Sequence, residues 1–154
     1  MRREKAMGLF EQGYNCAQSV VLAFADLYEL DEKTAAEVSS SFGGGMGRLR
    51  EVCGSVSGMF LVAGLLYGYS RPGAREEKAQ HYARIQELAK KFEEKNGSIV
   101  CRTLLGLSVQ RESPIPSERT AEYYKKRPCK QLIGDAAEIL EAYINAHPPG
   151  ENEK

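Results

Sequence analysis

The chain has 154 residues and a formal net charge of zero, with 21 Lys and Arg against 21 Asp and Glu. That length suits one domain able to bury a core, with no need of disulfides or a metal merely to fold. The balanced charge argues against an electrostatic nucleic-acid binder and against a polybasic membrane-surface protein.

Met1 to Phe10 is basic, but no long apolar stretch follows it. It reads as a helix, Arg2 to Gln12, ending at Gly13, and not as a signal peptide. Asn15 is a good N-cap for a second helix, with Val20, Val21, Phe24, Leu27 and Tyr28 on one face. Asp31 caps a third helix, running to about Phe42. The strongest breaker in the chain follows, Phe42-Gly-Gly-Gly-Met-Gly-Arg48, with a loop to Glu51.

Val52 to Tyr69 carries no charge and has about the length of a membrane span. Yet it holds Gly54, Gly58, Gly64, Gly68, Ser55 and Ser57, so a buried central helix from about Cys53 to Tyr69 is expected. Its glycines pair four apart, 54 with 58 and 64 with 68, so each pair shares a face and lets another backbone come close. Pro72 starts a long amphipathic helix, about Ala74 to Lys95, with Ala79, Tyr82, Ile85, Leu88, Ala89 and Phe92 inward. Asn96-Gly97 ends it. Ser98 caps a short helix, Ile99 to Leu105. A loop with Pro114 and Pro116 leads to Ser117, which caps another short helix through Tyr124. Pro128 opens the last helix, to Ala146, with Leu132, Ala136, Ile139, Leu140 and Tyr143 inward. Nothing reads well as a strand. The expected fold is all-α: a compact single-domain helical bundle over residues 1–147 with a buried Gly-rich central helix. Residues 148–154 are expected to form a flexible C-terminal tail.

The four cysteines share an address. Cys16 follows the cap Asn15, and Cys53 sits where the Gly-rich loop enters the apolar helix. Cys101 lies in the first turn after Ser98, and Cys129 follows Pro128, a residue favoured at the first helical position. Each is expected in, or just before, the first turn of a helix, where free N–H groups and the positive end of the dipole favour thiolate. No CxxC pair exists, so thioredoxin-type and zinc-finger spacings are absent.

Gly-Tyr-Asn-Cys16-Ala-Gln-Ser, Cys53-Gly-Ser-Val-Ser-Gly, Cys101-Arg-Thr-Leu-Leu-Gly and Cys129 before the last helix resemble a bacterial family of redox-active proteins. That family is named for its cysteine layout, C_GCAxxG_C_C, with four cysteines and a CGAxxG motif. The resemblance spans about Glu4 to Ile144. Ser55 stands where the motif has alanine, and both are small. The resemblance implies a redox or iron–sulfur role.

The first expectation is therefore a redox-active protein whose metal ligands are Cys16, Cys53, Cys101 and Cys129. They would hold an iron–sulfur cluster, or less readily zinc, for electron transfer or redox sensing with a partner protein. One alternative is a thiol–disulfide oxidoreductase, in which one helix-start cysteine attacks and another resolves. The other is a non-catalytic binding module with structural zinc or no metal. Cys53 and Cys16 are the redox-active thiol candidates, and Cys53 is the centre. Gly43, Gly44, Gly45 and Gly47 precede Cys53, and Gly54 and Gly58 follow it. Gly44, Gly45, Gly54 and Gly58 are the expected cofactor-side glycines. Backbone N–H groups of the loop could turn toward the Cys53 sulfur, and Arg48 and Arg50 could add positive charge.

The glycine loop follows a helix and lacks the Lys-Ser/Thr of a P-loop. His81 and His147 read as surface or satisfied core residues, and the tyrosines as core or rim packing. A hydrolytic triad is poorly supported. Neither nucleic-acid binding nor membrane insertion is expected, and self-association is left open. The absence of an export signal implies a cytoplasmic protein.

Overall fold

The computed structural model describes residues 1–108 and 111–150. Helices follow one another along the chain: α1 (Arg2–Glu11), α2 (Cys16–Leu22), a 3-10 turn (Ala25–Leu27), α3 (Glu32–Ser40) and the short turn α4 (Gly43–Met46). Then come α5 (Gly54–Tyr67), α6 (Arg75–Asn96), α7 (Cys101–Leu104), α8 (Ala121–Lys126) and α9 (Cys129–Ala146). The fold is all-α. The one pairing of extended backbone among the described residues is an isolated bridge between Val52 and Val100. No helix of the described residues is long and apolar enough to cross a membrane. Of the tail expected at 148–154, residues beyond Gly150 lie outside the described residues.

Local signals set most helix starts. Asn15 accepts from the Gln18 amide at 2.9 Å while the Gln18 side chain accepts from the Asn15 amide at 3.0 Å, a reciprocal cap that satisfies two orphan donors. Asp31 accepts from the Thr34 amide at 3.0 Å. Two expected caps move. Thr120, not Ser117, caps α8 by accepting from the Tyr123 amide. Ser98 accepts from the Val100 amide, closing a turn, and α7 begins only at Cys101.

α5 sits in the middle, against α2, α6 and α9. Val56, Met59, Val62 and Ala63 have no exposure at all. A Cβ on Gly58 would stand 2.8 Å from the Ala17 carbonyl and 3.1 Å from Val20 Cβ. The missing side chain is what lets α2 cross this close. The second glycine pair does not repeat the arrangement. Nothing lies within 4 Å of a Cβ on Gly64, and Gly68 is the C-cap of α5.

Two apolar faces differ from expectation. Ala79 and Tyr82 are exposed, while His81, Leu88 and Phe92 are the buried residues of α6. Positions 81, 85, 88 and 92 follow one helical stripe, and 79 and 82 fall off it. Tyr82 packs edge-on against Tyr69 instead, with ring centroids 6.3 Å apart. Leu27 is exposed because α2 gives way to the 3-10 turn, whereas Val20, Val21, Phe24 and Tyr28 are buried. On the other side, α1 lies along α9. There Arg3 Nη1 and Lys95 Nζ reach the buried Asp135 carboxylate at 2.6 and 3.1 Å.

Candidate redox site

All four cysteines line one cavity of about 380 Å³. Cys16, Cys101 and Cys129 are the first residues of α2, α7 and α9, and Cys53 is the N-cap of α5. Cys53 and Cys101 are framed by the backbone. The Cys53 amide donates to the Ile99 carbonyl at 2.7 Å, and the Cys101 amide donates to the Glu51 carbonyl at 2.6 Å. These bonds flank the Val52–Val100 bridge, so the two cysteines are fixed across a short extended ladder.

The glycine segment forms one wall. Its backbone holds positive φ at Gly44, Gly45, Met46, Gly47 and Arg48 in succession, and again at Arg50. A Cβ on Gly45 would stand 2.6 Å from Cys101 Cβ and 2.9 Å from Arg50 Cα. No side chain fits there. Gly43, Gly44, Gly47 and Gly54 also line the cavity. Gly58, expected on the cofactor side, does not; it lies one turn deeper, against α2.

The arginines do not turn to Cys53. Arg50 is buried; its Nη1 lies 3.4 Å from Cys101 Sγ, and its Nε donates to Glu112 at 2.7 Å. Arg48 Nε donates to the Ser113 carbonyl at 2.6 Å, and its Nη2 lies 3.5 Å from the same Glu112 carboxylate. Cys53 Sγ instead lies 3.0 Å from Ser55 Oγ. The Ser55 and Val56 amides at the start of α5, not the loop amides, are the backbone groups that lower its pKa. Burial outweighs these donors and pushes the Cys53 thiol up to about 11. Burial raises the Cys101 thiol as well, against the pull of Arg50.

Cys16 and Cys129 behave as a pair. Their titrations are linked by their proximity, and Cys16 is raised well above the usual thiol value, first by its partner thiol and then by burial. Cys129 is drawn down to about 7, first by Cys16 and then by the charges of Arg127 and Arg50 and by the Tyr123 hydroxyl, with burial opposing. Tyr123 itself is pushed up to about 12 by burial and by the neighbouring thiols, so it is a donor over the whole neutral range. The low-pKa thiol is thus Cys129, not Cys53. Sequence reading missed Arg119, Tyr123 and Arg127 as cavity residues. For Arg127 a signal existed, since it precedes Cys129 by two positions. Neither histidine enters the site. His81 Nδ1 lies 3.0 Å from Arg84, and His147 stacks on Tyr143.

Thiolates suit iron and zinc by donor chemistry. Among the described residues, however, no three or more His, Cys, Asp or Glu side chains gather closely enough to hold a metal ion. As arranged, the four thiols share a cavity without forming a ligand set.

Comparison with known proteins agrees with the cysteine layout. The family model described as "Putative redox-active protein (C_GCAxxG_C_C)" matches residues 14–143, from just before Cys16 to past Cys129. No curated protein and no solved structure matches the chain. With its match reaching over most of the sequence and all four cysteines, the chain belongs to the C_GCAxxG_C_C family.

Proposed function

We propose that the protein is a thiol–disulfide oxidoreductase in which Cys129 attacks and Cys16 resolves. The observation that carries this reading is the pairing of Cys16 and Cys129 at the starts of α2 and α9 in one cavity, with Arg127 and Arg50 in the same lining and Cys129 lowered to about 7. A thiol with a pKa near ambient pH is the best attacking group in exchange, because thiolate fraction and nucleophilicity are then balanced.

The Cys129 thiolate attacks one sulfur of a substrate disulfide, forming a mixed disulfide and expelling the first substrate thiolate. Cys16 passes its proton to that thiolate. The Cys16 sulfur then attacks Cys129, the protein closes a Cys16–Cys129 bridge, and the second substrate thiolate leaves. Two electrons pass from the protein dithiol to the substrate. A partner dithiol returns the bridge to two thiols. Cys53 and Cys101, both raised, stay protonated and shape the cavity.

The test is the pH profile of Cys129 alkylation, read by mass spectrometry on the folded protein. The rate should rise with pH through a midpoint near 7, because only the thiolate reacts. Cys16→Ala removes the neighbouring thiol that lowers Cys129 most and should move the midpoint upward. The groups facing Cys129 are Cys16, Cys101, Tyr123, Arg50 and Arg127. A midpoint near that of a free thiol, about 8.5, would refute the proposal. A visible iron–sulfur spectrum in anaerobically prepared protein would replace it with a cluster site.

A further inference from the structure

We infer that the disulfide handled here is a small anion, a low-molecular-weight carboxylate-bearing disulfide, and not a disulfide within a folded protein. The inference rests on the thiol–disulfide reading and names its substrate class.

Charge is the first argument. Arg48, Arg50, Arg119 and Arg127 all line the thiol cavity, and no Asp or Glu does among the described residues. A single carboxylate, Glu112, pairs with both Arg48 and Arg50. Arg119 is fixed by neutral groups. Its guanidinium donates to the Phe10 and Tyr14 carbonyls and lies 4.0 Å from the Phe10 ring centre, so no carboxylate among the described residues offsets its charge. Arg127 lies over the Tyr123 ring at 5.4 Å, and its side chain has no hydrogen bond or ion pair among the described residues. A guanidinium with its fork open is suited to take a carboxylate bidentately. The cavity therefore carries positive charge in excess of what its own walls neutralise.

Size is the second argument. About 380 Å³ falls at the small end of ligand pockets. Cys129 is only 9% exposed, so a substrate sulfur must come into the cavity to meet it. A small flexible molecule does this, whereas a disulfide anchored in a folded surface does not. The chemistry agrees with the charge. Attack by Cys129 releases a thiolate, so negative charge grows on the departing half where the arginines already stand.

The experiment mixes the reduced protein anaerobically with oxidised glutathione (anionic), 2-hydroxyethyl disulfide (neutral) or cystamine (cationic). Closure of the Cys16–Cys129 bridge is followed by mass spectrometry. Oxidised glutathione should react roughly tenfold faster than cystamine, with the advantage shrinking as salt is added. Arg127→Gln changes the reactivity of Cys129 toward all three probes alike. The decisive reading is therefore the ratio of the glutathione rate to the hydroxyethyl disulfide rate. That ratio should fall several-fold in Arg127→Gln and recover in part in Arg127→Lys. Circular dichroism checks that both variants fold. An unchanged ratio, or faster oxidation by a folded disulfide protein than by glutathione, would overturn the anionic small-molecule assignment while leaving the thiol reading intact. If none of the three probes closes the bridge, the thiol reading itself fails and this assignment falls with it.

Discussion

Two glycine-rich stretches flank Cys53, and they use glycine for different ends. Before it, the segment from Gly44 to Arg50 uses glycine for direction. φ stays positive from Gly44 through Arg48, and Met46, Arg48 and Arg50 share that region without being glycine. For such residues the left-handed region costs roughly 1–2 kcal/mol each. The segment is held in place by clasps. The Glu51 amide donates to the Gly45 carbonyl at 3.0 Å, and Arg48 and Arg50 are both tied to Glu112. After Cys53, α5 uses glycine for distance. Gly54 and Gly58 have no positive φ; they let α2 come close. Strain thus lies along the wall of the thiol cavity, and close contact lies in the core. Stored strain of this kind gathers where a site must hold an unusual shape.

Substitutions can separate the two uses. Gly58→Leu should have the largest effect, about 3 kcal/mol lost, because the Ala17 backbone and Val20 leave no room. An unchanged melting temperature would show that α5 is not pressed against α2. Gly45→Ala should cost less overall, about 2 kcal/mol, but should act on the site. The added methyl meets Cys101 Cβ and the Arg50 backbone, so Cys101 should alkylate faster. If Cys101 reactivity stays put while stability falls as far as in Gly58→Leu, the glycine turn is only another packing element. Gly64→Ala should be the mildest and opposite in sign. Its Cβ meets nothing, so better helix propensity should stabilise by up to about 1 kcal/mol. A clear loss of stability there would mean that an unseen neighbour uses that space.

How far the sequence foretold the molecule follows from how local each signal is. The helix-start position of every cysteine was legible because Asn15, Ser98, Pro128 and the glycine loop act within a few residues of them. The four-residue glycine spacing foretold the tight approach at Gly58, but the same spacing between Gly64 and Gly68 brought no neighbour close to Gly64. That Arg50 serves Cys101 was not, since it depends on the backbone ladder joining residues 51–53 to 99–101. Arg119 reaches the site across a gap in sequence from α1, and nothing in its neighbourhood announces this. Cys53, expected as the centre, is buried. Glycines around a cysteine suggest access, yet here neighbouring backbones fill the space they leave, and the thiol is raised instead. In the proposed cycle the cation lies beside Cys129, as Arg127.

The Cys16–Cys129 contact joins residues near opposite ends of the chain, at the starts of α2 and α9. A covalent bond there would enclose a ring of roughly a hundred residues and, on chain-entropy grounds, would make the oxidised form more resistant to unfolding by on the order of 4 kcal/mol. Each turn of the cycle would then tighten and loosen the whole molecule. Its susceptibility to proteolysis would record, for the protein as a whole, the oxidation state of two atoms.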